Sequence, residues 1–181
     1  NQPGSRRISR GKRGLARCPA CALPLALCLC AEAQQLSLDT SVLVFRHRRE
    51  VHKPTNTARL VPLTLTHAQV HVVGLPEDRV NYAQIQQAHR LPLLLSPTPT
   101  SVPLTADIAR STPITLVVPD GNWRQTRKMA QSEPEMRALL AVHLPPGPPR
   151  RFELRKHPEP DRLSTFEAIA RALGILEAVS Y

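Results

Sequence analysis

The chain contains 181 residues and carries 24 Lys and Arg against 14 Asp and Glu, which gives a formal net charge of +10. This length suits one main domain with a proper core, and the longest apolar runs, such as Leu91–Leu95 and Ile114–Val118, are the size of strands. The pattern argues against a membrane-spanning protein, and no segment resembles a signal peptide. We therefore expect a cytoplasmic protein.

Positive charge is concentrated at the start of the chain, where residues 1–17 contain no acidic residue. The basic residues of this segment are Arg6, Arg7, Arg10, Lys12, Arg13 and Arg17. A flexible basic arm of this kind is typical of proteins that bind a polyanion. Nucleic acid is favoured over an anionic membrane, because the arm lacks the interleaved aromatic or leucine face that enters a membrane interface.

All four cysteines fall in one short segment, at Cys18, Cys21, Cys28 and Cys30. Four thiolates this close together suit a tetrahedral, structural Zn²⁺ site. Two disulfides are disfavoured in a reducing compartment, and an iron–sulfur cluster is a further alternative. We predict a zinc knuckle over residues 18–36. Its closed thiolate shell leaves no position for substrate, so the chemistry is expected elsewhere.

Beyond residue 36, segments with strand and helix character alternate. Strands are predicted at Ser41–Arg48, Val70–Val73, Leu91–Leu95, Ile114–Val118 and Arg151–Leu154. Helices are predicted near Ala58–Leu65, Tyr82–Ala88, Trp123–Ala130 and Glu135–Val142, and a last helix follows a capping box that begins at Ser164. This alternation predicts an α/β domain over residues 37–181 with a mostly parallel sheet.

The most informative segment is the end of the strand at Ile114–Val118. A tight turn there carries Asp120 and the chain's one tryptophan, Trp123, and a basic helix follows at once. Open α/β sheets place their chemistry at such strand ends, where unpaired backbone N–H groups face a crevice. Asp120 is therefore the candidate catalytic residue. Trp123 is interpreted as a core anchor in preference to a surface that stacks on adenine or a target base.

Two other segments combine hydrogen-bonding groups with a constrained backbone. In the first, Pro54 restricts the chain, and Thr55, Asn56 and Thr57 offer caps at a helix start. Capping alone is an equally good explanation of that segment. In the second, Ser164 caps the last helix, whose free N–H groups can also hold a carboxylate or a polar ligand.

Basic residues surround these segments. The set comprises Arg46, Arg48, Arg49, Lys53, Arg59, Arg124, Arg127, Lys128, Arg155 and Lys156. Arg124, Arg127 and Lys128 share one helix face at spacings i, i+3 and i+4, which ordinarily indicates a solvated face. Their position beside Asp120 instead favours a basic surface that binds RNA phosphates.

These segments together resemble one family, the DTW-domain proteins, over nearly the whole chain. The matching motifs are Cys18-x-x-Cys21 with Cys28-x-Cys30, Pro54-Thr55-Asn56-Thr57, Asp120-x-Asn122-Trp123 and Leu163-Ser164-Thr165-x-Glu167-Ala168. The family usually has threonine where this chain has Asn122. The resemblance implies a SPOUT-like fold with a knotted C-terminal region. It also implies a tRNA-uridine aminocarboxypropyltransferase that moves the 3-amino-3-carboxypropyl group of S-adenosylmethionine to uridine N3 and releases methylthioadenosine.

The resemblance also implies roles for particular residues. Asp120 would be either the general base for the N3 proton or a group that orients the sulfonium. The implied cofactor-binding residues are Thr55, Asn56, Pro119, Gly121, Asn122, Trp123, Leu154, Ser164, Thr165 and Glu167. Two other interpretations stay open, a SPOUT-type RNA methyltransferase and a non-catalytic zinc-containing RNA-binding module. The sequence does not indicate an oligomeric state.

Overall fold

The computed structural model describes residues 16–74, 82–109, 111–149 and 163–177. Its strands are β1 (Ser41–His47), β2 (Ala68–Val73), β3 (Leu91–Leu95), β4 (Val102–Pro103), β5 (Ile114–Asp120) and β6 (Leu140–His143). Its α-helices are α1 (Val61–Thr64), α2 (Trp123–Ser132), α3 (Pro134–Arg137) and α4 (Thr165–Leu176). Short 3-10 helices lie at Leu25–Leu27, Arg48–Glu50, Ala58–Leu60, Tyr82–Ile85 and Ala106–Ala109.

The six strands form one sheet in the order β2-β1-β5-β3-β6-β4, and every strand pair within the described residues is parallel. The predicted α/β class with a parallel sheet is confirmed. Strand β5 lies between β1 and β3, and all seven of its residues are buried. Because the strands are parallel, their carboxyl ends share one edge of the sheet, and Asp120 is the last residue of β5 at that edge.

Strands β1 and β5 are buried on both faces, as expected for parallel strands covered by helices. On one face, Val44 and Val118 lie in a core that also contains Ile169 of α4. On the other face, Phe45 and Val117 lie in a second core with residues of α2 and α3. Because side chains alternate along a strand, Asp120 lies on the α4 face and its neighbour Pro119 on the α2 face.

Helix α4 is fixed at both of its ends. At its start, Ser164 and Glu167 form the predicted capping box, in which each side chain accepts from the other residue's N–H. At its end, the Glu177 carboxylate accepts from the N–H groups of Thr40 and Asp39 at 2.7 and 3.3 Å, just before β1 begins. The buried residues Ile169, Leu173 and Leu176 pack α4 against the core beside the central strands.

Some predicted elements are wrong. The helix predicted at Glu135–Val142 ends at Arg137, and Leu140–His143 is strand β6, which pairs with β3 and β4. A short apolar run has no reliable helical or strand period, so the neighbouring strands decide its structure. The helix predicted at Tyr82–Ala88 is a 3-10 helix that covers only Tyr82–Ile85. The two-residue strand β4 has no sequence pattern that would have predicted it.

Several predictions lie outside the described residues. These are residues 1–15 of the arm predicted over residues 1–17, the strand Arg151–Leu154, and the site residues Leu154, Arg155 and Lys156. Within the described part of the chain, none of the helices has both the length and the apolar character needed to cross a membrane.

Candidate active site

Asp120 is buried at the end of β5, with 2% of its surface exposed. Its Oδ2 accepts a hydrogen bond from Asn56 Nδ2 at 2.6 Å, and its Oδ1 accepts one from Thr165 Oγ1 at 2.5 Å. The three segments singled out by the sequence therefore meet at one carboxyl group. Backbone geometry explains the meeting, because the β5 terminus, the start of α4 and the loop after β1 share the same edge and face of the sheet.

The surroundings of Asp120 increase its affinity for a proton. Burial is the main cause and raises the pKa of Asp120 above its usual value. The hydrogen bonds from Thr165 and Asn56 act in the opposite direction, because they stabilise the carboxylate. The nearby Glu50 carboxylate raises the pKa and Arg46 lowers it, both by charge. The net result is a carboxyl group more basic than one in water.

The first turn of α4 is held against the loop that precedes α1. The backbone N–H of Phe166 donates to Thr57 Oγ1 at 3.2 Å. Ser164 and Glu167 are engaged in the capping box, and Thr165 bonds Asp120. Each polar side chain of this turn thus has a defined structural partner.

Two buried polar atoms near Asp120 have no hydrogen-bond partner among the described residues, Arg46 Nε and Asn56 Oδ1. Arg46 lies opposite Asp120 in the register of β1 and β5, so both side chains lie on the same face of the sheet. Asn56 bonds Asp120 through its amide nitrogen, which leaves the amide oxygen available. The site therefore contains an unmatched cationic donor and an unmatched acceptor.

Asn122 is the N-cap of α2. Its Oδ1 accepts from the N–H of Gln125 at 2.9 Å, and Gln125 Oε1 accepts from the N–H of Asn122 at 2.8 Å. A Cβ atom on Gly121 would lie 2.9 Å from both Cβ and Oε1 of Gln125, so glycine makes room for this capping box. The spacing of Asn122 and Gln125 is itself a capping-box pattern, so this cap could have been predicted from the sequence.

Trp123 is 48% exposed, so its interpretation as a core anchor is wrong. At the first position of α2 it lines a cleft of about 280 Å³. The cleft is also lined by residues 96–99, Thr126, Arg127 and Gln131. An indole at such a cleft can present a ring face to a planar group.

Apart from Arg46, the described basic residues that were predicted to bind RNA divide into two groups. Arg48, Arg49, Arg124, Arg127 and Lys128 are exposed. Lys53 and Arg59 instead have partners within the protein. Lys53 Nζ lies 2.5 Å from Oε1 of Glu50, a fully buried carboxylate that was not among the predicted site residues. The sequence feature that could have identified Glu50 is its position three residues before Lys53, close enough for the two side chains to pair.

Arg59 holds the loop that carries Asn56. Its guanidinium donates to the carbonyl oxygens of Asn56 at 3.0 Å, Lys53 at 2.7 Å and Val51 at 3.3 Å. Burial lowers the pKa of Arg59, and the nearby positive charge of Arg46 lowers it further. Arg59 thus supports the backbone of the loop that places Asn56 beside Asp120.

His47 lies at the end of β1, beside the same site. Its Nδ1 accepts from the N–H of Arg49 at 3.1 Å. Burial lowers the pKa of His47, and the positive charges of Arg49 and Arg48 lower it further. The imidazole is therefore neutral at neutral pH and acts here as a backbone cap.

The four cysteines form a compact cluster. Their Sγ atoms all lie within 4.8 Å of one another, with separations of 3.7 Å for Cys18 and Cys30 and 3.8 Å for Cys21 and Cys28. A tetrahedron with Zn–S bonds of about 2.3 Å has S···S edges of about 3.8 Å. Backbone hydrogen bonds from Cys21 and Ala20 lower the pKa of Cys18 to about 6, whereas burial raises the pKa of Cys30 to about 12. The donor set fits a four-coordinate metal ion.

Comparison with known proteins gives a consistent result. The family model described as "DTW domain" matches residues 15–180. The chain is 29% identical over 169 residues to tRNA-uridine aminocarboxypropyltransferase 2 of Drosophila melanogaster, covering 90% of this chain and 67% of that one. It is 27% identical over 171 residues to the protein of that name from Macaca fascicularis (91% and 57% covered) and 26% identical over 194 residues to tRNA-uridine aminocarboxypropyltransferase A of Arabidopsis thaliana (88% and 72% covered). The chain spans 57% to 72% of the length of these relatives, and no solved structure matches it.

Proposed function

Since the chain belongs to the DTW-domain family, we propose that it is a tRNA-uridine aminocarboxypropyltransferase that uses S-adenosylmethionine as donor and uridine N3 as acceptor. The observation that carries this proposal is the buried Asp120 carboxyl group, which Asn56 and Thr165 hold at the end of the central strand. The names of the related proteins supply the reaction class. The parallel sheet agrees with a SPOUT-like fold, whose C-terminal knot is part of the proposal.

Asp120 is the proposed general base. Uridine N3–H is a weak acid, and the nitrogen becomes nucleophilic only as its proton leaves. A carboxylate whose pKa is raised by burial accepts that proton more readily than one in water. S-adenosylmethionine supplies an electrophilic γ-carbon, so that a C–N bond forms while the C–S bond breaks and methylthioadenosine leaves.

The polar atoms around Asp120 fit a donor substrate with an amino-acid end. Arg46 Nε and Asn56 Oδ1 are buried without a partner among the described residues, which is the arrangement expected where a polar ligand completes the hydrogen bonding. Thr55, Asn56 and Thr165 are proposed to contact the donor directly, and Trp123 to stack on its adenine or on the target base. Pro119, Gly121, Asn122, Ser164 and Glu167 shape the surrounding backbone, and Leu154 is also proposed as a donor contact.

The exposed basic residues are proposed to bind the tRNA backbone. Arg48 and Arg49 follow β1, and Arg124, Arg127 and Lys128 project from α2 beside the same edge of the sheet. Phosphate contacts of this kind position the substrate without reading its sequence. The cysteine cluster is proposed to hold a structural Zn²⁺ ion, because four thiolates leave no coordination position for a substrate.

The decisive experiment is product analysis with S-adenosylmethionine and unmodified tRNA. The proposal requires release of methylthioadenosine and a modified uridine that gains the aminocarboxypropyl mass. Asp120→Asn is expected to lower kcat by about 10²- to 10⁴-fold with donor affinity retained. Release of S-adenosylhomocysteine would instead identify a methyltransferase. Binding of tRNA with neither product, by protein that also binds the donor, would contradict the catalytic proposal.

A further inference from the structure

Arg46 has a buried donor atom that the described residues do not pair. Its Nε atom is inaccessible to solvent and has no hydrogen-bond partner in the part of the chain that the structure describes. Lys53 and Glu50 form the one ion pair found among the described residues. A guanidinium stays charged, and burying one of its N–H groups without an acceptor is unfavourable. A partner from outside the chain would remove that penalty.

The nearby carboxyl groups already have other partners. Both oxygens of Asp120 accept hydrogen bonds, from Asn56 and from Thr165. Glu50 is bound by Lys53. Arg46 is close enough to Asp120 to lower its pKa by charge, but the two side chains form no ion pair. Neither Asp120 nor Glu50 therefore supplies the acceptor that Arg46 Nε lacks.

Asn56 supplies the complementary atom. Its Nδ2 must face the Asp120 carboxylate, because a carboxylate only accepts hydrogen bonds. The Oδ1 atom is consequently fixed as an acceptor, and it is buried without a partner among the described residues. Arg46 lies beside Asp120 in register, and Asn56 bonds Asp120 directly. A cationic donor and a neutral acceptor thus flank one carboxyl group.

We propose that Arg46 binds the carboxylate of the donor's amino-acid end and that Asn56 Oδ1 accepts from its ammonium group. This inference rests on the proposed function and names the contacts that hold the transferred group. It moves Arg46 out of the RNA-binding set, because Arg46 is partly buried beside Asp120, whereas Arg48 and Arg49 are exposed. The same contacts make the site selective for a donor that retains its carboxylate.

Decarboxylated S-adenosylmethionine is the matched probe, since it lacks only that carboxylate. Calorimetric titration without tRNA should show that the wild-type chain binds S-adenosylmethionine at least tenfold more tightly than the decarboxylated form. Arg46→Gln should weaken binding of S-adenosylmethionine at least tenfold and leave the affinity for the decarboxylated form unchanged. Arg137→Gln, which removes an exposed charge on α3, is the control and should leave both affinities unchanged.

Three results would overturn the assignment: equal wild-type affinity for the two donors, equal weakening of both in Arg46→Gln, or a defect confined to tRNA binding. Arg46→Lys keeps the positive charge but lacks the Nε donor, so it should show a reduced preference for S-adenosylmethionine over the decarboxylated form. It is the variant to measure if Arg46→Gln does not fold. Binding is measured without turnover. Release of S-adenosylhomocysteine would therefore contradict the proposed reaction while leaving this contact intact.

Discussion

Thr165 Oγ1 donates to Asp120 Oδ1 at 2.5 Å, across 45 residues of sequence. The bond joins the first residue of α4 to the last residue of β5. It fixes one oxygen of Asp120 and, by stabilising the carboxylate, opposes the effect of burial on its pKa. The proton affinity of Asp120 is therefore set by a balance that single substitutions can shift.

Removing the Thr165 hydroxyl should raise the pKa of Asp120 further. If Asp120 is the general base, activity decreases as pH falls through that pKa. The acid limb of kcat/KM in Thr165→Val should then move to higher pH than in the wild type. Thr165→Ser keeps the hydroxyl and should keep the wild-type limb. A limb that stays in place in Thr165→Val would show that Asp120 does not titrate in the rate-limiting step.

Asp120→Asn should stabilise the fold at neutral pH while it lowers kcat. A folded pKa raised above the unfolded value contributes stability below the unfolded pKa, and that contribution is lost as pH rises through the folded pKa. Asparagine removes the buried charge, and its amide oxygen can still accept a hydrogen bond from Asn56 Nδ2 or Thr165 Oγ1. The gain in Tm should thus be larger at pH 8 than at pH 4, and a lower Tm at pH 8 would contradict the argument.

Gly121→Ala should destabilise the protein, because its Cβ would lie 2.9 Å from Gln125 Cβ and disturb the cap of α2. We expect a decrease of about 1–3 kcal/mol in the free energy of unfolding, as for other overpacked sites. Gly174→Ala is the matched control. It lies in α4, and an added Cβ would meet no atom within 4 Å beyond its chain neighbours and the helix's own backbone, so it should gain up to ~1 kcal/mol from helix propensity. Urea unfolding of both variants would measure the difference, and equal stabilities would refute it.

Elemental analysis should find one zinc ion per chain, bound by the four-cysteine cluster. Removal with a chelator should lower the Tm, and added Zn²⁺ should restore it, because metal binding to the folded state is linked to folding. Cys28→Ser should reduce the zinc content and the Tm. Iron together with visible absorption would identify an iron–sulfur cluster instead. An unchanged Tm after complete zinc removal would refute the structural role.

The exposed face of α2 should contribute to tRNA affinity by neutralising phosphates. Arg124→Gln with Lys128→Gln should weaken tRNA binding and reduce the slope of log affinity against log salt by about 1 for each phosphate that the variant no longer neutralises. Donor affinity should not change. Arg137→Gln removes one exposed charge from α3 and should leave the slope at its wild-type value. A slope that the double variant leaves unchanged would place the tRNA on another surface.

Sequence patterns predicted the parts of the site that depend on local chemistry. Asp120 was evident because a carboxylate follows an apolar strand, and Ser164 because its capping box is a local pattern. The Asn56–Asp120 bond joins residues 64 apart, so no local pattern contains it. The distinction between Arg46 and Arg48 also required the structure. Two residues apart at the end of a strand, one has its Nε buried and the other is exposed.

Trp123 and strand β6 show why other predictions failed. An isolated tryptophan is usually interior, but the buried residues of α2 begin at Met129, so Trp123 at the first position stays exposed. Leu140–His143 has no distinctive period of its own and becomes a strand because β3 and β4 flank it. In both cases the outcome depends on neighbours that are distant in sequence.

The alternation of side chains along β5 makes the position of Asp120 depend on residue count. Successive side chains along the strand lie on opposite faces of the sheet. Asp120 faces α4 only because it lies an even number of sequence positions from the core residues Leu116 and Val118. A one-residue deletion within β5 would turn the carboxylate towards α2, away from Thr165 and Asn56. Length changes in this strand would therefore eliminate the site even where every one of its residues is retained.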